Sequence, residues 1–297
     1  MYTGRTVFSQ VMDRFPLAEF HHSVDRHGGN YKVQSFSCLD QFLCLAFAQL
    51  TRRESLRDIE VCLRAAQPRL YHMGFRSPIS RNTLANANLK RDWRIYADVG
   101  QVLMRQARNL YAQEDLGLEF DQAVYALDST TIDLCLSLFP WTPFRYTKAA
   151  IKVHTALELR GSIPSFIQVT PPLVGDAGLL DKLALEPGAC YVMDRGYIHF
   201  LRLYRITQAG AFFVIRAKDK MRYRRRYSHR VDKSPGLRSD QTIVLTGRDS
   251  KHDYPAPARL IRYWDEQHNL RLRFLTNNFL LPAHTIAQLY KRRWDIE

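Results

Sequence analysis

Two carboxylates in this sequence stand in matching surroundings. The apolar run Val124-Tyr125-Ala126-Leu127 ends in Asp128 and passes into Ser129, Thr130 and Thr131. A second run, Ala189-Cys190-Tyr191-Val192-Met193, ends in Asp194 and turns through Arg195-Gly196-Tyr197. Four to five apolar residues bounded by polar ones read as a buried strand, so each Asp stands where a strand leaves the core. If the strands are parallel neighbours, the carboxylates lie side by side and repel unless a proton or a metal cation intervenes. Singly, either Asp reads equally as a cap of a helix or turn; together they favour a cation site.

A third carboxylate closes the chain. Pro282 opens a helix with apolar positions at Ile286, Leu289 and Ile296. On it, Tyr290, Arg293 and Glu297 are spaced i, i+3, i+7 and share one face. Such a face offers a phenol, a guanidinium that forks onto phosphate, and an oxygen ligand for a hard cation. With Lys291, Arg292 and Asp295 beside them, the same residues also read as an exposed salt-bridged face, and spacing leaves both readings open. Asp133 and Asp176 lie close to the first two acids in sequence and are alternative carboxylates. His154, His199 and His252 lack any metal-ligand spacing and read as ordinary residues.

The charge balance indicates what such a site would act on. With 43 basic and 29 acidic residues the net charge is +14, which suggests a polyanion, nucleic acid in preference to a membrane. The excess concentrates in 216–238, where ten basic residues, among them Lys218, Arg222, Arg224, Arg225 and Arg226, face only Asp219 and Asp232. Tyr223 and Tyr227 are interleaved. This stretch is either a solvated charged face or a phosphate-binding surface that releases counterions on contact. No apolar run is long enough to span a bilayer, and the N-terminus has no signal-peptide core. The five cysteines are scattered, as expected of reduced thiols in a cytosolic protein.

The elements that must position these groups fall into two textures. Residues 1–115 read as helical, with Ser37 and Ser55 as N-caps and helical stretches from Arg81 and over Trp93 to Tyr111. This section is equally a DNA-binding module or a helical support. From about 120 the order is strand, hairpin pair (149–159 and 166–170), helix (177–185), strand, helix (198–208), strand (211–215). That is the order of a ribonuclease H-like mixed sheet, in which the first and fourth strands are parallel neighbours. The basic stretch opens a β-rich insertion over about 216–280, with strands at 241–245, 258–263 and 270–275.

With these residues in place, the chain resembles the DDE transposases of the insertion-sequence family numbered four. The likeness is carried by Tyr125-Ala126-Leu127-Asp128-Ser129-Thr130, by Tyr191-Val192-Met193-Asp194-Arg195-Gly196-Tyr197, and by Leu289-Tyr290-Lys291-Arg292-Arg293-Trp294-Asp295-Ile296-Glu297. The resemblance implies an all-α N-terminal domain (1–115) before a ribonuclease H-like catalytic domain (120–297). It implies Asp128, Asp194 and Glu297 as catalytic ligands of two Mg²⁺ ions, with Mn²⁺ as a substitute. DNA contacts would come from Tyr290, Arg293, the basic residues named above and Trp264. The implied function is metal-dependent cleavage and strand transfer at the ends of an insertion sequence, by a homodimer in a synaptic complex, in a bacterial, nucleoid-associated cytoplasmic protein. Trp264 reads equally as core. The family's signature Lys, seven residues beyond the Glu, falls outside the chain. The expectation is therefore a C-terminally truncated member, with a catalytically inactive DNA-binding derivative as the alternative.

Overall fold

The structure, a computed structural model, describes residues 5–111, 113–114, 117, 120–134, 142–145, 148–233 and 236–296. Residues 1–106 form one compact unit and residues 107–297 a second.

Six helices account for the first part of the chain: α1 (Val7–Met12), α2 (Leu17–Arg26), α3 (Cys38–Leu50), α4 (Leu56–Ala65), α5 (Arg81–Lys90) and α6 (Arg94–Tyr111). Their starts follow from side chains that satisfy the orphan amides of a first turn. Ser37 and Asp40 form a reciprocal capping box at α3, and the Ser55 and Ser80 hydroxyls accept from Asp58 N and Thr83 N. Each such cap stabilises its helix by about 1 kcal/mol. Phe36, Leu43, Cys44, Leu63, Phe75 and Leu84 form a core among α1, α3, α4 and α5, and Phe20, Val24, Cys38, Ile95 and Val99 form a second among α2, α3 and α6.

The second unit is built on one mixed sheet. Its first strands are β1 (Val124–Leu134), β2 (Pro143–Arg145), β3 (Lys148–Glu158), β4 (Ile163–Thr170), β5 (Cys190–Met193) and β6 (Phe212–Arg216), with α7 (Phe200–Gln208) between the last two. Across the sheet they run β4-β3-β1-β5-β6; β3 is antiparallel to β1 and β4, while β1, β5 and β6 are parallel. This is the ribonuclease H-like arrangement. The sequence order also predicts a helix over 177–185, but only a 3₁₀ turn, Asp176–Asp181, forms there. Gly178 weakens any α-helix by about 1 kcal/mol. The tighter turn lets the consecutive Leu179 and Leu180 both enter the core.

The stretch after β6 does not leave the sheet. Strands β7 (Tyr223–His229) and β8 (Leu237–Leu245), the short helix α8 (Arg248–Asp253), and strands β9 (Ala258–Asp265) and β10 (Leu270–Thr276) extend it in the order β6-β10-β9-β8-β7. Strand β7 lies inside the basic run, where charge density hides any alternation of polar and apolar residues. Helix α9 (Ala283–Lys291) then returns over the sheet.

Both faces of the central strands are covered, so their sequences are continuous apolar runs. Tyr125, Leu127, Tyr191, Met193, Phe213 and Ile215 pack with Leu203 and Ile206 of α7. Val124, Ala126, Cys190, Val192 and Val214 pack with Ile286, Ala287, Leu289 and Tyr290 of α9. Burial pushes the Cys190 thiol up to about 12, so it stays protonated and packs as an apolar group.

Candidate active site

The parallel register of β1 and β5 pairs Val124 with Cys190 and continues to Leu127 with Met193. Asp128 and Asp194 are the next residues on each chain, so they emerge side by side at one end of the sheet. Strand β1 does not stop at Asp128. It runs on against β3, with Asp128 opposite Thr155. What ends at Asp128 is burial: Val124 to Leu127 are buried, Asp128 and Ser129 half-buried, Thr130 to Asp133 exposed. Asp133 lies five residues farther along the same strand, about 16 Å away at strand rise, and is no substitute for Asp128.

Alternation places Asp128 on the side of Val124 and Ala126, the side covered by α9. There Arg293, 6% exposed, donates from Nη1 to Asp128 Oδ1 at 3.3 Å. Asp194 leaves β5 in an extended conformation and caps the short turn Arg195–Tyr197 by accepting from Gly196 N. Tyr197 is buried behind this turn. Burial raises its phenol above the ordinary range, and the charges of Asp176, Asp128 and Asp194 add to the shift, so all three carboxylates lie within its field.

Asp176 thus joins the two aspartates expected from the strand ends. It accepts from Ser129 Oγ at 2.8 Å and from Lys152 Nζ at 3.0 Å. His154, two residues along β3, is 1% exposed and shares a hydrogen bond with Thr170 Oγ1 at 2.9 Å. Burial lowers its pKa, which marks it as a neutral core histidine.

The end of the chain departs from the expected regular face. The α-helix stops at Lys291 and tightens into a 3₁₀ turn, Arg292–Ile296. Tyr290 is 2% exposed and packs on Phe274 at 4.7 Å between ring centroids. Its ring lies 5.8 Å from the Arg293 guanidinium, so it supports Arg293 from the core side. Glu297 lies outside the described residues.

The basic residues divide between two places. Lys218 lines a cleft of about 520 Å³ with Arg195 and Gly196, directly beside the Asp194 turn. With Arg222 it also lines a neighbouring cleft of about 550 Å³. Arg224, Arg225 and Arg226 are exposed on β7, the outer edge of the sheet. That edge lies five strands from β5, about 24 Å at the usual spacing. Trp264 is half-buried with Arg271 stacked 5.9 Å over its ring, in a cleft of about 640 Å³ shared with Arg238, Arg262 and Arg273. The sequence reading missed Arg262, Arg271 and Arg273. Their signal is an alternation, Arg262-x-Trp264 facing Arg271-x-Arg273 across the β9–β10 ladder. Asp219 links this cleft to the site, with its carboxylate 4.0 Å from both Arg195 and Arg273.

The donors at the strand ends fit a hard divalent cation: they are carboxylate oxygens, with no thiol or imidazole between them. Among the described residues no group of three or more His, Cys, Asp or Glu side chains converges as a ligand set; Asp128 and Asp194 would supply part of one. Among the same residues no helix is long and apolar enough to cross a membrane.

Residues 3–76 match a domain family of unknown function, DUF4372. A Sinorhizobium fredii protein assigned as a transposase, y4zB, is 30% identical over 228 residues, which cover 74% of this chain and 62% of that protein. A Geobacillus stearothermophilus protein assigned as the transposase for insertion sequence element IS5377 is 28% identical over 182 residues, covering 61% of this chain and 47% of that one. The chain spans less than two thirds of either relative. The cryo-EM structure of a piggyBac transposase synaptic complex with hairpin DNA aligns over 99% of this chain and 67% of its own, at 9% identity and a TM-score of 0.45. Residues 119–297, more than half of the chain, match the family described as the transposase DDE domain, and the chain belongs to that family.

Proposed function

We propose that this chain catalyses phosphodiester cleavage and strand transfer at the ends of an insertion sequence, the chemistry of cut-and-paste DNA transposition. The observation that carries this reading is the β1–β5 register, which delivers Asp128 and Asp194 side by side. Asp128, Asp194 and Glu297 would hold two Mg²⁺ ions, or Mn²⁺ in their stead, which when bound lower the pKa of the attacking water and offset charge on the phosphate.

The chain's own groups then have distinct tasks. Arg293, buried beside Asp128, provides a fixed positive charge with a fork geometry suited to phosphate. Tyr290 acts through Arg293, since its ring is in the core. Lys218 and Arg222, beside the Asp194 turn, and the Arg262–Trp264–Arg271–Arg273 cleft are two basic surfaces suited to a DNA backbone. Arg224, Arg225 and Arg226 would meet DNA farther out, at the edge strand. Cutting two ends in one event calls for two copies of the site, hence a homodimer.

The test is cleavage of a labelled duplex carrying the ends of the encoding element, in Mg²⁺. The chain is expected to nick it, and Asp128→Ala and Asp194→Ala to bind the duplex without nicking. Metal-dependent nicking retained by both variants would rule the reading out.

A further inference from the structure

Asp176 contacts more of the site than a surface turn residue needs to. One oxygen, Oδ1, accepts from Ser129, the residue after Asp128, and from Lys152 on β3. The other oxygen faces the turn that carries Asp194. A side chain at Gly196 would place its Cβ 2.9 Å from Asp176 Oδ2 and 3.5 Å from Asp194 Oδ1. The absent side chain at Gly196 is therefore what admits the Asp176 carboxylate to the back of the turn. Lys152 donates a second bond to Val174 O at 3.1 Å, which pins the loop bearing Asp176 to the sheet.

The sheet geometry shows what this arrangement controls. Ser129 and Lys152 lie on the α7 side, whereas Asp128 points to the α9 side. Asp176 is thus behind the two strand-end acids, tied to β1 at Ser129 and packed against the turn after β5. We propose that Asp176 is a positioning residue that sets the spacing of Asp128 and Asp194, an inference that rests on the reading of those two as cation ligands. It acts as a hydrogen-bond acceptor and spacer, and the ammonium of Lys152 balances its charge so that a further anion is tolerated there.

The test uses Mn²⁺ alone, titrated against the chain by calorimetry or by the loss of the free-ion EPR signal, without DNA. Asp176→Ala is expected to weaken Mn²⁺ binding about tenfold, the effect usual for a group that orients a ligand. Asp176→Asn keeps an acceptor for Ser129 and Lys152 and is expected to restore binding to within about threefold. Gly196→Ala pushes the turn off Asp176 without deleting any polar group and is expected to weaken Mn²⁺ as Asp176→Ala does. Unchanged Mn²⁺ affinity in Asp176→Ala and Gly196→Ala, alongside lost affinity in Asp194→Ala, would overturn the positioning role and leave the proposed function standing. Equal weakening by Asp176→Asn and Asp176→Ala would overturn it too, since a direct ligand behaves so. If Asp194→Ala itself binds Mn²⁺ normally, the ligand assignment fails and this role with it.

Discussion

The sheet carries two kinds of strand, and they do different work. In the centre, β1 as far as Leu127, β5 and β6 are apolar on both faces, closed by α7 and α9, and polar groups begin where that burial ends. From β10 to β7 the strands are apolar where helices cover them and basic beyond. Leu260 and Ile261 are buried, while Arg262 and Arg271 are exposed. Under the proposed function, the first region places its groups by where burial of a strand ends, and the second by which residues alternate outward. A carboxylate pair needs fixed separation, which register between buried strands supplies. A backbone-binding surface needs only a density of like charge, which exposed alternate positions supply.

The sharpest way to break this contrast is at the strand ends. Asp128→Ala should lower Mg²⁺-dependent cleavage by at least about 10³-fold. DNA affinity measured by fluorescence anisotropy should not fall, because no basic residue is removed and Arg293 loses only its carboxylate partner. A variant that lost binding and cleavage together would erase the division of labour.

The extension has one structural weak point. Asp240 on β8 and Arg259 on β9 form a buried pair, with bonds of 2.9 and 2.7 Å. Arg259 Nη1 also donates to the carbonyls of Asn278 and Leu281, which lead into α9. Asp240→Ala leaves that guanidinium buried and unpaired and should cost about 3–5 kcal/mol of stability in urea unfolding. A cost near zero would mean that the extension is less tightly coupled to α9 than its bonds indicate.

The basic cleft should respond in a graded way. Replacing Arg262, Arg271 and Arg273 together by Gln should flatten the plot of log affinity against log salt by about 0.9 for each phosphate that the cleft no longer neutralises. Cleavage at saturating DNA should stay within about threefold. An unchanged slope would remove this cleft from the DNA path and leave Lys218 and Arg222.

The smallest expected effect is a pH dependence in the first region. Burial lowers the pKa of His154 from its ordinary 6.5. The unfolded chain therefore binds this proton at a higher pH than the folded chain does. Stability present above about pH 6.5 should be lost as pH falls from there through the folded value. His154→Gln should flatten that part of the stability–pH profile, and an identical profile would show that another group dominates it.

Much of the first region is legible in the sequence, because two apolar runs of like length each end in Asp, and parallel pairing in the register seen here sets those ends side by side. Ser37 and Ser55 are legible for a similar reason: a cap is a local event, complete within four residues. The rest is written in contacts that sequence spacing does not encode. Asp176 reaches the site only because Gly196 leaves space for it, 20 residues along the chain. The basic run predicts a charged surface but not that β7 forms within it, since strand pairing with β8 is a partner effect. The last helix reads as one face over Tyr290 and Arg293, yet the 3₁₀ turn at Arg292 separates them into a core ring and a site-facing guanidinium.

The most direct measurement is an anomalous difference map from crystals of the chain soaked in Mn²⁺. The account predicts a peak within about 2.0–2.3 Å of carboxylate oxygens of both Asp128 and Asp194, at the end of the parallel strands. Mn²⁺ bound elsewhere, with these two carboxylates engaged only by Arg293 and backbone amides, would contradict it.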